Sequence, residues 1–560
     1  MTQLDPASSV NVLADRFWEL ILAEDPTTAT LYGDERYDDR LDDLTADGRA
    51  RRRSIYESTL VATHSIDPAQ QSLEDRITLD MIRVVCELGI EQQDQRTDLL
   101  RAVDQMTGPQ TVLPQVALFQ AADTPERFER FEARIRAYGP YMAANRELLR
   151  EGLASGLTAP RIVVERTIAQ LERLLQVDPA ESVITAGARV AGPRERARVE
   201  ALVRDVVQPA DRAYLEDLRG AYLAASRVDA GLWSAPDGEA LYRTQVLVWT
   251  TLEIDPEEVH RIGLEELETI EAERRAISRA EGFGDDTVAY RASLTADPHN
   301  VPASTDELLD RAREDIERAM AAAPRYFGRL PRAGCDVRAV EAFKETDSPF
   351  AYYYPPTTDG TRPGIYYANS YDLPSRLYSK LGTTTYHEAV PGHHFQIALE
   401  MENDTLNVFR RLGSRLVGGA YVEGWGLYSE RLADEMGLFR NEAERFGMLD
   451  AQAWRAARLV VDSGLHALRW PRQRSIDTLL AAGLSKTDAV IETDRYICWP
   501  GQALTYKLGQ RQIERLRLEI AARDGADFDL RAFHDAVLGH GSLPLATLAR
   551  ELPNWVATPV

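Results

Sequence analysis

The feature that most limits how this chain can fold is Pro391-Gly392, set between two groups of potential metal ligands, His387-Glu388 and His393-His394. In an unbroken helix the pattern H-E-x-x-H puts two histidines on one face to bind zinc, with the glutamate as general base. Here the fourth position after His387 is Pro391, which cannot ligate, and the next histidines come six and seven places on. On a regular helix His394 would return to within about 20° of the His387 face but lie about 10.5 Å further along the axis. Two nitrogens bound to one zinc at about 2.0–2.1 Å each cannot be that far apart. His393 is nearer axially but would point about 120° away. Either can join His387 only if the helix is interrupted. Pro391 removes a helical N–H, and Gly392 opens backbone angles closed to other residues. The spacing therefore predicts a metal helix with a kink or bulge that returns His393 to His387. His394 is the alternative second histidine or a residue behind the ligands. The plain alternative is a loop carrying surface histidines.

A third ligand is expected in Gly418-Gly419-Ala420-Tyr421-Val422-Glu423-Gly424-Trp425-Gly426-Leu427-Tyr428-Ser429-Glu430, where two carboxylates seven apart share a helical face. A glutamate in so apolar a run is costly to bury unless it is paired or metal-bound. Glu423 reads as the ligand, and Glu430 as the partner of an arginine such as Arg431. Glu388, beside His387, reads as the general base and not as a ligand.

With these residues in view, H-E-A-V-P-G-H-H, E-G-W-G-L-Y-S-E, Arg495-Tyr496 and the run Pro500-Gly501-Gln502-Ala503-Leu504-Thr505-Tyr506-Lys507-Leu508-Gly509 together resemble the bacterial domain-of-unknown-function 885 family. Members of that family are regarded as relatives of the gluzincin metallopeptidases. The resemblance runs from Asp25-Pro26-Thr27-Thr28-Ala29-Thr30 and Gly33 to the C-terminal quarter. It implies a mainly α, two-lobed, gluzincin-like fold with a small antiparallel β-hairpin before the metal-binding helix, one Zn2+ per chain and a peptide substrate.

The 560 residues suffice for several domains or one large helical body, and 44% apolar residues suffice for a substantial core. We expect a single family-wide unit with an N-terminal helical lobe, 1–235, and a metal-binding catalytic lobe, 236–560, joined at Gly231–Glu239. A net charge of −24 argues against nucleic-acid and anionic-membrane partners, both of which attract basic surfaces. Three cysteines far apart in sequence, Cys86, Cys335 and Cys498, argue against a disulfide framework or a cysteine zinc site. Met1-Thr2-Gln3-Leu4-Asp5 has no basic segment leading into an apolar one, and no run of about 18 apolar residues occurs, so a cytoplasmic protein is expected. Oligomeric state is not legible.

Apolar spacing predicts a helix from Val10 to about Asp25 and long amphipathic helices between Gln71 and Glu165, broken at Pro140 and around Gly152–Pro160. The acidic stretch from Gly33 to Asp43 reads as a solvated loop or, by the resemblance, a wall of the cleft. Asp255-Pro256-Glu257-Glu258 and Ser304-Thr305-Asp306-Glu307 are helix starts. His260, in the first of these helices, reads as structural.

Phe350–Pro355 and Gly364–Asn369 are β-favouring runs joined at 357–361, a hairpin. An edge strand there could hold an extended peptide, with Arg362, Tyr366, Tyr367 and Asn369 against the substrate. Tyrosines packed for stability are the competing reading. Arg458, Asp462 and His466 fall on one helical face, where the aspartate could orient the histidine. Tyr506, ahead of His466, is the candidate oxyanion donor, and Lys507 could hold a substrate carboxylate. His534 and His540 read as surface residues. The expected function is zinc-dependent hydrolysis of peptide bonds. A non-catalytic helical binding protein with a structural metal, and a hydrolase of non-peptide amides or esters, are the rivals.

Overall fold

Helices open where the sequence supplies caps. Ser8 accepts from the Asn11 amide ahead of Ser9–Glu24, Asp255 from Glu257 ahead of Pro256–Ala280, and Ser304 from Glu307 ahead of Thr305–Ala322. The computed structural model describes residues 8–340, 345, 349–357, 362–417 and 419–556, with the side chains of 414 and 415 left aside. Over these residues the protein is mainly helical with two small sheets. The expectations for Met1–Asp5, for Gly418 and for the hairpin turn at 358–361 lie outside the described residues.

Two 25-residue helices, Pro256–Ala280 and Glu442–His466, lie side by side. Gly263 lets them approach, since a Cβ there would sit 2.7 Å from Val460 Cγ2 and 2.8 Å from Leu459 Cβ. The helix Ala420–Glu435 crosses Thr505–Asp524 equally closely, with Gly424 against the Gly509 backbone.

Pro140 does not break its helix, which runs unbroken from Pro125 to Ser155. An interior proline costs about 3 kcal/mol. Neighbouring Phe131, Tyr138 and Met142 are each almost fully buried, at about 1.5–3 kcal/mol apiece for side chains of this size, and offset that cost. The helix does end at Gly156, in the left-handed region at φ 76°.

The cores do not divide at residue 235. One hydrophobic cluster joins Phe17, Trp18, Ile77 and Met81 to Phe409, Tyr421 and Trp425, and a second joins Leu113, Phe131 and Tyr214 to Val461, Leu465 and Ile497. The stretch from Gly33 to Asp43 is fastened at its middle: Arg134, fully buried, donates to the carbonyls of Tyr37 and Arg40.

The antiparallel pairing of Ala351–Tyr354 with Gly364–Ala368 is as the sequence predicts, but a third strand alters its meaning. Cys335–Ala339 pairs in parallel on the other side of Gly364–Ala368, which makes the strand leading to the metal helix the central one. Both its sides are hydrogen-bonded, so it cannot take up a peptide strand, and the edge positions fall to its two neighbours. A two-residue parallel pair, Ala121–Ala122 with Arg189–Val190, had no legible sequence signal.

Candidate metal centre

The helix Tyr378–Glu388 stops where the sequence requires, and a new one starts at His393. Between them Ala389 and Gly392 leave helical angles and the Val390–Pro391 bond is cis. A Cβ on Gly392 would lie 1.9 Å from the His387 carbonyl oxygen, so only glycine fits the break. Trp425, fully buried, donates its indole N–H to the Pro391 carbonyl at 2.9 Å, and Ser429 donates to the Tyr386 carbonyl at 3.1 Å. The Ala420–Glu435 helix thereby holds the break in shape.

The break brings the two imidazoles together, with ring centroids 4.7 Å apart. Glu423 Oε2 lies 3.5 Å from His387 Nε2 and 3.6 Å from His393 Nε2. In a tetrahedral zinc site with bonds of about 2.0–2.1 Å, neighbouring ligand atoms are about 3.3–3.4 Å apart, close to these separations. A carboxylate oxygen of Glu388 also comes within 4.8 Å of the ring nitrogens. The histidines are buried while the Glu423 side chain is a quarter exposed, so the cluster opens to solvent on its carboxylate side.

The room for this arrangement comes from Gly426, where a Cβ would lie 2.8 Å from His387 Nε2 and 2.9 Å from His393 Cε1. In E-G-W-G the glutamate thus faces the histidines, the first glycine admits a crossing helix, the tryptophan holds the break, and the second glycine clears the imidazoles.

Glu430 is not the partner of Arg431, which instead pairs with Glu273. Helix geometry decides this: two turns after Glu423, Glu430 reaches behind His387 and accepts from its Nδ1 at 2.8 Å. Its other oxygen accepts from Thr383 Oγ1 and Gln452 Nε2. Lys507 Nζ in turn donates to Gln452 Oε1 at 2.8 Å. Since an ammonium can only donate, it fixes the Gln452 amide with its nitrogen toward Glu430. The carboxylate then requires the proton on His387 Nδ1, which leaves Nε2, facing Glu423, as the position that takes either a second proton or a metal ion. Burial alone would lower the His387 pKa, but hydrogen bonds to Glu423 and Glu430 outweigh it and raise it to about 10. Burial would raise Glu423, yet the two imidazoles hold it well below the usual carboxylate range. Glu388 is pushed up, chiefly by burial. The cluster is therefore built around a positive charge.

Two nitrogens and a carboxylate oxygen, one imidazole oriented from behind, and a further carboxylate close by are a donor set that fits Zn2+. His393 differs from His387 in that its Nδ1 is buried with no partner among the described residues. Glu430→Gln should lower zinc affinity about 10–100-fold, the usual effect of removing such an orienting group. Equilibrium dialysis against zinc tests this, with Arg431→Gln expected to leave affinity unchanged; equal losses in both would remove the orienting role.

Tyr506 lies in the first turn of Thr505–Asp524, its ring 6.4 Å from that of His387. The Arg458 guanidinium stacks 4.2 Å from its centroid, and Arg495 approaches the phenol oxygen at 3.4 Å, leaving the phenol hydrogen free to point elsewhere.

The remaining expectations are corrected by what their polar atoms already hold. His394 turns away: Nδ1 meets the Tyr353 hydroxyl at 3.0 Å, Nε2 donates to the Ala333 carbonyl at 3.1 Å, and burial lowers its pKa to about 4. His466 does not face Asp462. Its Nδ1 accepts from the Leu232 amide and its Nε2 donates to the Tyr496 carbonyl, so it has no N–H left for an oxyanion. Asp462 binds Tyr242 and the Gly501 amide, and Arg458 pairs with Glu492. Lys507 is buried, donates to Gln452 and has Glu266 at 3.6 Å.

Arg362 closes the hairpin by donating to the Pro355 carbonyl. Tyr366 is fully buried in the main core, with Thr385 Oγ1 at 3.4 Å from its hydroxyl. Tyr367, on the opposite face, stacks on Tyr352 at 5.0 Å. Asn369 ties the strand end to the carbonyls of Glu345 and Pro349. The packing alternative for these tyrosines is the one realised. His260 hydrogen-bonds Ser463 and packs edge-on to Trp470, as expected of a structural residue. His534 is not a surface residue but is fully buried between Tyr428 and the Tyr326 carbonyl, and His540 pairs with Glu74 and stacks on Trp555. Gln452, Gly426 and the role of Glu430 were missed; the equal face of Glu423 and Glu430 was the only signal available.

A helical body with a two-histidine, two-glutamate cluster at a proline-broken helix defines the class. The chain belongs to the family described as bacterial protein of unknown function (DUF885), which matches residues 26–552. Among solved structures, it is similar to a protein of Colwellia psychrerythraea described as a lipoprotein, at 27% identity and TM-score 0.89, covering 98% of this chain and 99% of that one. A protein of Shewanella oneidensis described as a lipoprotein of unknown function shares the fold at 17% identity and TM-score 0.77, covering 99% and 100%. Comparison with curated proteins gives no match. No helix among the described residues is long and apolar enough to cross a membrane.

Proposed function

We propose that the protein is a zinc-dependent, gluzincin-like hydrolase acting on peptide bonds, with His387, His393 and Glu423 holding one Zn2+. The observation that carries this reading is the single Glu423 oxygen at 3.5 and 3.6 Å from the two Nε2 atoms. Three protein ligands leave a fourth position open, as in catalytic and not structural zinc sites. Zinc bound there would polarise a carbonyl and lower the pKa of water to about 7. On this reading Glu388 takes the proton of an attacking water and returns it to the leaving amine. Tyr506 donates its phenol hydrogen to the developing oxyanion, a reading supported by Arg458 and Arg495, which hold its ring and oxygen. Glu430 keeps His387 in the tautomer a cation requires.

The test is digestion of a mixed peptide pool by zinc-loaded protein, scored by new amino termini. Cleavage should disappear with a chelator and return with zinc, and Tyr506→Phe should lower turnover about 10²–10³-fold with little change in KM. Esters or non-peptide amides cleaved in preference to peptides would move the substrate class; zinc binding with no hydrolysis of any of these would leave a binding protein. The solved relatives' lipoprotein description stands against the cytoplasmic expectation for this chain, and cell fractionation decides between cytoplasm and envelope.

A further inference from the structure

A cavity of about 270 Å³, built from none of the metal-centre residues, lies between the segments 97–107 and 159–163, the helix Gly238–Thr250 and the turn 497–500. Most of its wall is apolar, with Val163, Trp249 and Trp499 as its bulkier faces. Two guanidiniums and a side-chain amide interrupt that wall: Arg101, Arg227 and Gln245.

Of the three, Gln245 has a buried donor left unmet, and the two guanidiniums, exposed at Arg101 and half-buried at Arg227, hold only neutral partners. Among the described residues the Arg101 side chain donates only to the Gln92 amide oxygen. Arg227 uses Nε and Nη1 on the carbonyls of Thr158 and Gly231 and on the Ser234 hydroxyl. Neither guanidinium forms an ion pair with a carboxylate among the described residues, although the chain carries 89 acidic residues against 65 basic ones. The carboxylate on the same wall, Asp104, is already engaged: it accepts from the Met106 and Thr107 amides, the Thr107 hydroxyl and the Trp499 indole. Gln245 is only 6% exposed, and its amide nitrogen is buried with no partner among the described residues. An unpartnered buried donor in a native fold calls for a ligand or water that completes it. Two unpaired cations and a spare amide donor within an apolar wall call for an anion with an apolar body.

We propose that this cavity is a second ligand site that takes a small monocarboxylate carrying an aromatic or branched apolar group. The carboxylate oxygens accept from Arg101, Arg227 and Gln245, and the apolar group lies against Val163, Trp249 and Trp499. His466 then has a definite task. It braces two parts of this wall, holding the Leu232 amide with one nitrogen and the Tyr496 carbonyl with the other.

Titration calorimetry of the full chain with 3-phenylpropanoate tests the site without reference to hydrolysis. Saturable binding is expected, weakened about 10–100-fold when the carboxylate is replaced by the neutral 3-phenylpropanamide, the scale of a lost hydrogen bond to a charged group. Arg101→Gln, a change on an exposed side chain, and Gln245→Leu, which keeps the volume, should each weaken binding by a comparable factor while the melting midpoint and zinc content stay unchanged. L-phenylalanine and acetyl-glycyl-phenylalanine separate the two natural sources: the first binding better marks a free amino acid, the second a peptide C-terminus. No saturable heat at millimolar concentration, equal binding of acid and amide, or binding indifferent to Arg101→Gln overturns the proposal. Should Gln245→Leu fail to fold, the Arg101 variant and the acid-to-amide comparison decide the matter.

Discussion

Glu388→Gln is expected to bind one zinc ion per chain as tightly as the unmodified protein while its turnover on peptides falls about 10²–10⁴-fold, the usual contribution of a positioned general base. Two carboxylates near the imidazoles compete for the ligand role. A single Glu423 oxygen lies 3.5 and 3.6 Å from the two Nε2 atoms, the separation of neighbouring ligands, and a Glu388 oxygen lies within 4.8 Å of the imidazole nitrogens. One oxygen almost equidistant from both nitrogens suits the ligand role, which leaves Glu388 for a water held at the open position. Glutamine preserves the shape and hydrogen-bonding reach of the side chain but cannot take a proton at neutral pH. Metal analysis on Glu388→Gln and Glu423→Gln together gives the answer. Zinc retained in the first and lost in the second supports the assignment; the reverse makes Glu388 the ligand and Glu423 the base.

Gly426→Ala should lose more zinc affinity than the 10–100-fold typical of a residue behind the ligands, because its methyl group would occupy space the imidazoles need. The added carbon would sit 2.8 Å from His387 Nε2 and 2.9 Å from His393 Cε1. Neither ring can yield freely: His387 is tied to Glu430 at 2.8 Å, and His393 begins a helix fixed by the Pro391-Gly392 break. Global stability should change little, since alanine in a helix interior is favoured over glycine by about 0.5–1 kcal/mol, which works against the local strain. Gly139→Ala, in a helix where the nearest atom is Val206 Cγ1 at 4.0 Å, is the control and should leave zinc binding intact. Dialysis for zinc and thermal melts of the metal-free proteins separate the two effects. An unchanged zinc affinity in Gly426→Ala would mean that the histidines bind metal in some other arrangement.

Much of the centre was legible because helical geometry is severe over short distances. His387 and His393 cannot meet without a break, and Pro391-Gly392 could only be that break. A glutamate in the apolar run around Glu423 needed a positive partner, and the seven-residue spacing put Glu430 on the same face. The helix starts at Asp255 and Ser304 and the pairing of Ala351–Tyr354 with Gly364–Ala368 followed from local side chains and turn chemistry.

What the tertiary structure decided was, in each case, which distant group a polar atom reaches. Sequence places Arg431 beside Glu430, but helix faces send the arginine to Glu273 and the glutamate to His387. Arg458, Asp462 and His466 share a face and yet bind Glu492, Tyr242 and the Leu232 amide, because each meets a different neighbouring element. The strand before the metal helix became central through Cys335–Ala339, a run with no strong β signal that pairs only because the fold brings it alongside. Periodicity and backbone sterics act within a few residues and can be read along the chain. Hydrogen-bond partners such as these, 34 to 234 residues apart, are fixed by how helices pack, and that information exists only in the folded molecule.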